Sequence, residues 1–429
     1  MLFIPTNQPY QLLLASIFYP NVASPNFVTK YNIVREPLQQ QIKTLSNKYA
    51  NEFIAVRRHL HAHPELSYQE FETSKFVQEK LTGYKIPFEI KSTTGVIGLL
   101  EGRNPGKRVV ALRADMDALP ILEENEVDYK STIPGVMHAC GHDVHTSCLL
   151  GAAKILSELK EEWEGTVKLI FQPGEEKNPG GASLLIKEGV LENPAPESIF
   201  GMHVHTTLET GKLSFRGGMV MASADEIYIT IKSKGGHAAA PQFTADTVLI
   251  ASQLVVSLQQ IISRNNSPFN PSVLSITSIQ GGNTTNVIPS EVKLMGTFRA
   301  MNEEWRFKAH DMIRKLATEL VHSMGATIDI RIDVGYPFVL NNDTLTAAAK
   351  AKAETYLGAE NVEETELRMG AEDFAFYSHR IPACFFRLGT GNAALGITIG
   401  GHTPTFNVDE NAIEIGMGMM ALLGATNGD

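Results

Sequence analysis

Residues 227–231 read IYITI, with Ile227, Ile229 and Ile231 alternating strictly against Tyr228 and Thr230. That period of two is the mark of a strand with one buried face. Toward the C-terminus, helical spacing follows over 245–262, strands over 273–279 and 287–298, a helix over 303–324 and a strand over 328–332. The order strand-helix-strand-strand-helix-strand is the split βαβ, or ferredoxin-like, pattern. Outside residues 222–334 the rhythm changes. Apolar runs at 109–114, 167–171 and 199–205 read as buried strands, with a helix at 144–159 among them. After Pro337 the spacing predicts helices over 345–357 and 413–423, with an extended run at 383–388 between. Such alternation predicts an α/β layer with a mixed, mostly parallel sheet flanked by helices. Residues 38–81 are helical in spacing, through Phe53, Val56 and Leu60 and then Phe71, Phe76 and Leu81, with a break at Pro64. The ferredoxin-like α+β unit therefore reads as an insertion, and the expected division is 1–37, 38–220, 221–335 and 336–429.

A chain of 429 residues exceeds the size at which one core stops growing, which supports more than one domain. With 43% hydrophobic and 20% charged residues it falls in the ordinary globular class. A net charge of -10 argues against nucleic-acid or anionic-membrane partners, which need basic patches. Cys140, Cys148 and Cys384 are too few and scattered for a disulfide framework and suit a reducing compartment. The early apolar run at 12–18 is far short of a membrane span, and no Lys or Arg precedes Lys30 to open a secretory signal. The cytoplasm is the expected location, and residues 1–37 are expected to be an N-terminal extension.

The densest chemical signal is MHACGHDVH at 137–145, where Cys140 and His142 offer a thiolate and an imidazole two residues apart. These are the usual ligands of zinc and its borderline neighbours. QPGEE at 172–176 follows a predicted strand and sets Glu175 beside Glu176 in a turn. One carboxylate there can bind metal while its neighbour takes a proton from water. A bare Glu pair is more often a solvated loop; position decides otherwise. Asp115, Cys140, Glu175 and His203 all fall at or just beyond predicted strand ends, where open α/β sheets gather ligands. His402, in GGHTPTF at 400–406, lies in a loop from which it can fold back as a further ligand.

RRHLHAHPELSYQE at 57–70, LRADMDALP at 112–120, MHACGHDVHT at 137–146, FQPGEE at 171–176 and GMHVH at 201–205 appear in one order with GGHAAAP at 235–241, GGNTTNVIPS at 281–290, MGAEDFA at 369–375 and GGHTPTF. In these motifs the chain, after about Leu38, resembles the dinuclear-metal aminoacylase and carboxypeptidase family. The similarity is to the branch of hippurate hydrolase, N-acyl-amino-acid amidohydrolases and plant auxin-conjugate hydrolases.

The resemblance implies a catalytic domain made of 38–220 and 336–429, with 221–335 as a lid and dimerisation domain. It implies two divalent metal ions, manganese or zinc, on Cys140, His142, Glu176, His203 and His402, with Cys140 between them and Glu175 as general base. His205 competes with His203, which the resemblance favours. Asp115 stays open between ligand and supporting group, while Asp117 orients its neighbours. His237 resembles the residue that polarises the scissile carbonyl, often across a dimer, and Asn286 and Arg299 resemble groups that grip the substrate carboxylate. His59, His61 and His63 are read as structural, and Glu372 and Asp373 as lying near the site. The expected reaction is hydrolysis of N-acyl-L-amino acids to an acid and an amino acid, by a homodimer joined through the insertion. The alternatives are a metallo-carboxypeptidase or dipeptidase of the same family and a non-catalytic binding protein. Use of Cys140 as a nucleophile with His142 is disfavoured by their spacing. Hinges are expected near 216–221 and 335–337.

Overall fold

Ile42, Tyr49, Phe53, Val56 and Leu60 recur at helical spacing and bury one stripe of α1 (Leu38–Ala62). The computed structural model describes residues 37–426. Apart from Pro37, the expected extension lies outside the described residues. After the break at Pro64 come α2 (Phe71–Gly83), β1 (Phe88–Lys91), β2 (Gly95–Glu101), β3 (Val109–Asp115), α3 (His142–Glu158) and β4 (Thr166–Gln172). Then follow α4 (Gly181–Lys187), β5 (Ser198–Glu209), β6 (Leu213–Phe215) and β7 (Gly218–Met221). The inserted stretch holds β8 (Asp225–Lys232), β9 (Gly236–His237), α5 (Thr247–Gln260), β10 (Ser272–Gln280), β11 (Val287–Ile288), β12 (Glu291–Ala300), α6 (Glu303–Ser323) and β13 (Thr327–Val334). The chain returns through β14 (Val339–Asn341), α7 (Asp343–Leu357), β15 (Val362–Glu364), α8 (Ala375–Ser378), β16 (Ala383–Gly391) and α9 (Ala412–Thr426).

The large sheet has the order β1-β2-β4-β3-β5-β16-β6-β15. Its centre, β4-β3-β5-β16, is parallel, as is β6-β15, while β1-β2, β2-β4 and β16-β6 are antiparallel. Both faces are covered. Val110, Leu112 and Ala114 point into a core shared with α1, α3 and α9, while Ala111 joins a second core with residues of α4 and α8. Burial on both sides is why such strands read as unbroken apolar runs.

The inserted sheet is antiparallel throughout, in the order β10-β12-β8-β13. The alternating isoleucines of β8 pack on Trp305, Ala309, Ile313, Ala317 and Val321, a stripe that repeats every four residues along α6. Asp246, Asn302 and Asn342 cap α5, α6 and α7 by accepting backbone N–H groups of the first turn. The strand expected over 287–298 is two strands: β11 pairs with β9, and β12 starts at Glu291. Pro289 between them has no N–H for a ladder. β7 and β14 pair antiparallel, so the chain leaves for the inserted stretch and comes back side by side. None of the described helices is long and apolar enough to cross a membrane.

Candidate metal centre

The loops beyond the parallel strands bring the chemical residues together. β3 ends at Asp115 and runs on to Asp117, β4 leads through Pro173 and Gly174 to Glu175 and Glu176, and β5 carries His203 and His205. The turn before α3 carries Cys140. Gly141, which links Cys140 to His142, has φ +86°, and a Cβ there would lie 2.4 Å from Val204. Gly174 has φ +59°, and its Cβ would meet the Tyr68 ring at 2.3 Å. Only glycine fits either turn.

Cys140 Sγ lies 3.4 Å from His203 Nε2. Cys140, His142 and His203 offer donor atoms within 4.8 Å of one another, as do Cys140, Glu176 and His402, so the sulfur belongs to both groups. His142 Nδ1 donates to the Asp117 carbonyl at 2.8 Å and His203 Nδ1 to the Val204 carbonyl at 2.8 Å. A carbonyl only accepts, so in both rings the proton is on Nδ1 and Nε2 presents its lone pair to the cluster, in His203 toward Cys140 Sγ. His142 Nε2 and Glu176 Oε1 are buried without a hydrogen-bond partner. His402 Nε2 stands 3.1 Å from that oxygen, near enough for an ion pair but out of hydrogen-bonding alignment. Buried polar atoms are normally satisfied. Orphaned lone pairs converging with a thiol and three imidazoles therefore fit a pair of divalent ions.

The electrostatics agree. Burial, then the charge of Glu176, pushes the Cys140 thiol up. His402 is pushed up to about 10, first by its hydrogen bond to Cys140 and then by Glu176. The rise at His402 expresses the negative charge of the cluster, while that at Cys140 expresses burial first. Glu175 is 6% exposed, and burial, followed by Glu372, Glu176 and Asp373, holds its carboxyl well above the ordinary value. Its Oε1 accepts the Asp373 amide at 3.3 Å, and Tyr336 donates its hydroxyl to the Glu175 carbonyl at 2.6 Å. A buried carboxyl raised in this way suits proton transfer near neutral pH.

Asp115, left open between two roles, has both oxygens engaged by protein: Oδ1 by His145 Nδ1 at 2.6 Å and Oδ2 by Arg113 at 2.6 Å. His145 is fully engaged as well, because its Nε2 accepts the Val204 amide at 2.9 Å. Arg113 also pairs with Glu372 and Asp373. His205 is in none of the donor groups found among the described residues, and its Nε2 is hydrogen-bonded to the Thr207 hydroxyl at 2.8 Å. His61 bonds to Asp143 and Glu123, while His59 stacks on Phe76, so both stand outside the cluster. Glu372 and Asp373 do lie beside Glu175.

A cavity of about 860 Å³ opens over the cluster, lined by Cys140, Glu175, Glu176, His203 and His402 on one side and Arg299 of β12 on the other. His237 and Asn286 are not part of this lining. They sit exposed on the β9–β11 ribbon, with the Ala238 amide bonded to the Asn286 carbonyl at 3.0 Å. Sequence reasoning missed Tyr336, Arg368 and Arg387, all of which line the cavity. Each stands singly, without a second chemical residue at ligand spacing. The one available signal was a lone arginine inside the apolar run ACFFRLG of β16.

Comparison with known proteins accords with this geometry. Residues 111–425 match Peptidase family M20/M25/M40. An IAA-amino acid hydrolase ILR1-like 5 from Arabidopsis thaliana is 43% identical over 378 residues, 86% of this chain and 85% of the relative. An N-acyl-L-amino acid amidohydrolase from Geobacillus stearothermophilus is 43% identical over 306 residues, 71% of this chain and 82% of that protein. The YXEP protein of Bacillus subtilis, described as a dinuclear metal binding peptidase, superposes with a TM-score of 0.77 at 35% identity, covering 88% of this chain and 98% of its own. With the match spanning most of its length, the chain belongs to peptidase family M20/M25/M40.

Proposed function

We propose that this protein cleaves the amide bond of N-acyl-L-amino acids, releasing a carboxylic acid and a free amino acid. As a family member it is a metal-dependent hydrolase of amide bonds. The observation that carries the finer reading is one sulfur, Cys140, shared by two donor groups, with the buried carboxyl of Glu175 against them. In this reading Cys140, His142, Glu176, His203 and His402 hold two divalent ions, manganese or zinc. Such ions, when bound, supply the Lewis acidity that makes water a nucleophile near neutral pH.

Glu175 takes a proton from the attacking water as its oxygen bonds to the amide carbon. It then gives that proton to the leaving nitrogen as the C–N bond breaks. Asp117 keeps this carboxyl in place through the Glu175 and Glu176 amides, at 3.0 and 2.9 Å. Arg299 binds the substrate α-carboxylate. His237 and Asn286, exposed and away from the cavity, are proposed to complete the site of the partner subunit in a homodimer, with His237 donating to the carbonyl oxygen as it gains charge. The three cysteines are free, which suits the cytoplasm as the proposed location.

The test is hydrolysis of N-acetyl, N-benzoyl and indole-acetyl amino acids beside dipeptides, with chelator and with manganese or zinc restored. Cleavage of N-acyl amino acids that stops with chelator and returns with metal is expected. Cleavage of dipeptides alone would move the reading to a carboxypeptidase or dipeptidase, and chelator-resistant cleavage would overturn the metal assignment.

A further inference from the structure

The largest fully buried side chains include four arginines, Arg57, Arg113, Arg306 and Arg387. Three of them are neutralised: Arg57 by Asp143 and Glu410, Arg113 by Asp115, Glu372 and Asp373, and Arg306 by Asp225 and Glu303. Arg387 is the exception. It is 2% exposed, its Nη2 has the weak acceptor Met221 Sδ at 2.7 Å, its guanidinium lies 5.2 Å from the centre of the Phe385 ring, and its Nε has no hydrogen-bond partner. It forms no ion pair among the described residues. A buried guanidinium without a counter-charge is unfavourable unless something else supplies one.

The position of Arg387 indicates what that is. It stands opposite His203 in the β16–β5 register, so both side chains leave the same face of the sheet, and it lines the cavity. Arg368 lines the cavity too, on a more exposed segment, and its charge acts on Arg387. A guanidinium stays charged at neutral pH. Two cations turned toward one space, one of them with unused donors, suit an oxyanion with two acceptors. The carboxylates of Glu176 and Glu372 line the same cavity and repel a doubly charged phosphate more than a singly charged carboxylate.

We propose that Arg387 and Arg368 form a second carboxylate subsite in the cavity, separate from Arg299, so that the preferred substrates are N-acyl amino acids carrying a carboxylate besides the α-carboxylate. This deepens the reading of the preceding subsection and rests on it. The additional carboxylate belongs either to a dicarboxylic acyl group or to an acidic amino-acid side chain.

The metal-loaded full-length protein is assayed on N-succinyl-L-alanine against N-butanoyl-L-alanine, and on N-acetyl-L-glutamate against N-acetyl-L-glutamine. In at least one pair the acid is expected to have the higher kcat/KM by about tenfold or more, the usual size of a charge-assisted contact. The pair showing the preference identifies which end of the substrate carries the carboxylate. In Arg387→Gln that ratio falls to about one, and in Arg368→Gln it falls part of the way. Because Arg387→Gln has the greater chance of disturbing the fold, calorimetric binding of succinate and of propionate is compared in wild type and Arg368→Gln. Tighter succinate binding that weakens in the variant supports the subsite. Ratios near one in both pairs, with the neutral substrates cleaved, overturn the subsite and leave the amidohydrolase reading standing. No cleavage of any N-acyl amino acid overturns both.

Discussion

Both oxygens of Asp117 serve two groups: Oδ1 accepts the Glu175 amide and lies 3.2 Å from His142 Nδ1, and Oδ2 accepts the Glu176 amide and the Ser67 hydroxyl. One carboxylate thus aligns the proposed base with two proposed ligands. Glu175→Gln keeps the shape but loses the proton acceptor, so turnover should fall at least about a hundredfold while metal content, read by elemental analysis, stays at the wild-type level. Loss of metal together with activity would instead make Glu175 a ligand. Asp115→Asn unbalances Arg113 and loosens His145 without removing a proposed ligand, and metal affinity measured by chelator competition should weaken about 10- to 100-fold. An unchanged affinity would show that Asp115 supports folding alone. At this scale the cluster was legible because Cys140, His142, Glu175 and Glu176 come as dense pairs of chemically distinctive residues. Arg368, Arg387 and Tyr336 were not, because the fold alone makes them neighbours.

Within elements, the first residue of β8 ties two others to itself. The Asp225 carboxylate is held by Arg306 and His310 of α6 and accepts the Gly335 amide after β13. Burial opposes the charge, but Arg306 and then His310 outweigh it and hold the carboxyl below its usual value. A depressed carboxyl contributes stability that is whole above the ordinary Asp value, near pH 4, and is lost as pH falls through the folded-state value. Asp225→Asn leaves Arg306 buried with Glu303 alone and should cost about 3–5 kcal/mol at pH 7. In urea titrations the gap between variant and wild type should close below about pH 4; a gap independent of pH would mean that the charge does not matter. The elements themselves were largely legible: helices and strands of the inserted stretch follow the spacing read from their apolar residues. The hairpin of β1 and β2 was not. GVIGLLE, buried on nearly every residue, shows no alternation, and FEIK is too short to show any period. The three-residue β6, β14 and β15 have no room for a pattern and exist through their partners in the sheet.

The whole molecule raises the question of how many chains make one site, because His237 and Asn286 are exposed on the β9–β11 ribbon and Glu175 is buried beneath the cavity. If His237 serves a partner, His237→Ala and Glu175→Gln are each inactive, yet co-expressed chains pair at random and one site in each mixed dimer regains both residues. Activity should then return to about one quarter of wild type; no recovery, with mixed dimers present, would place the two residues in the same chain's site. The paired strands β7 and β14 limit how the inserted unit can move over the cavity. Two strands bonded edge to edge bend across their common plane far more easily than they slide within it. The unit is therefore expected to swing as a door does rather than as a ball on a string, with one axis lying across the ribbon, and residues facing the cavity from β12 should approach and leave it along a single arc.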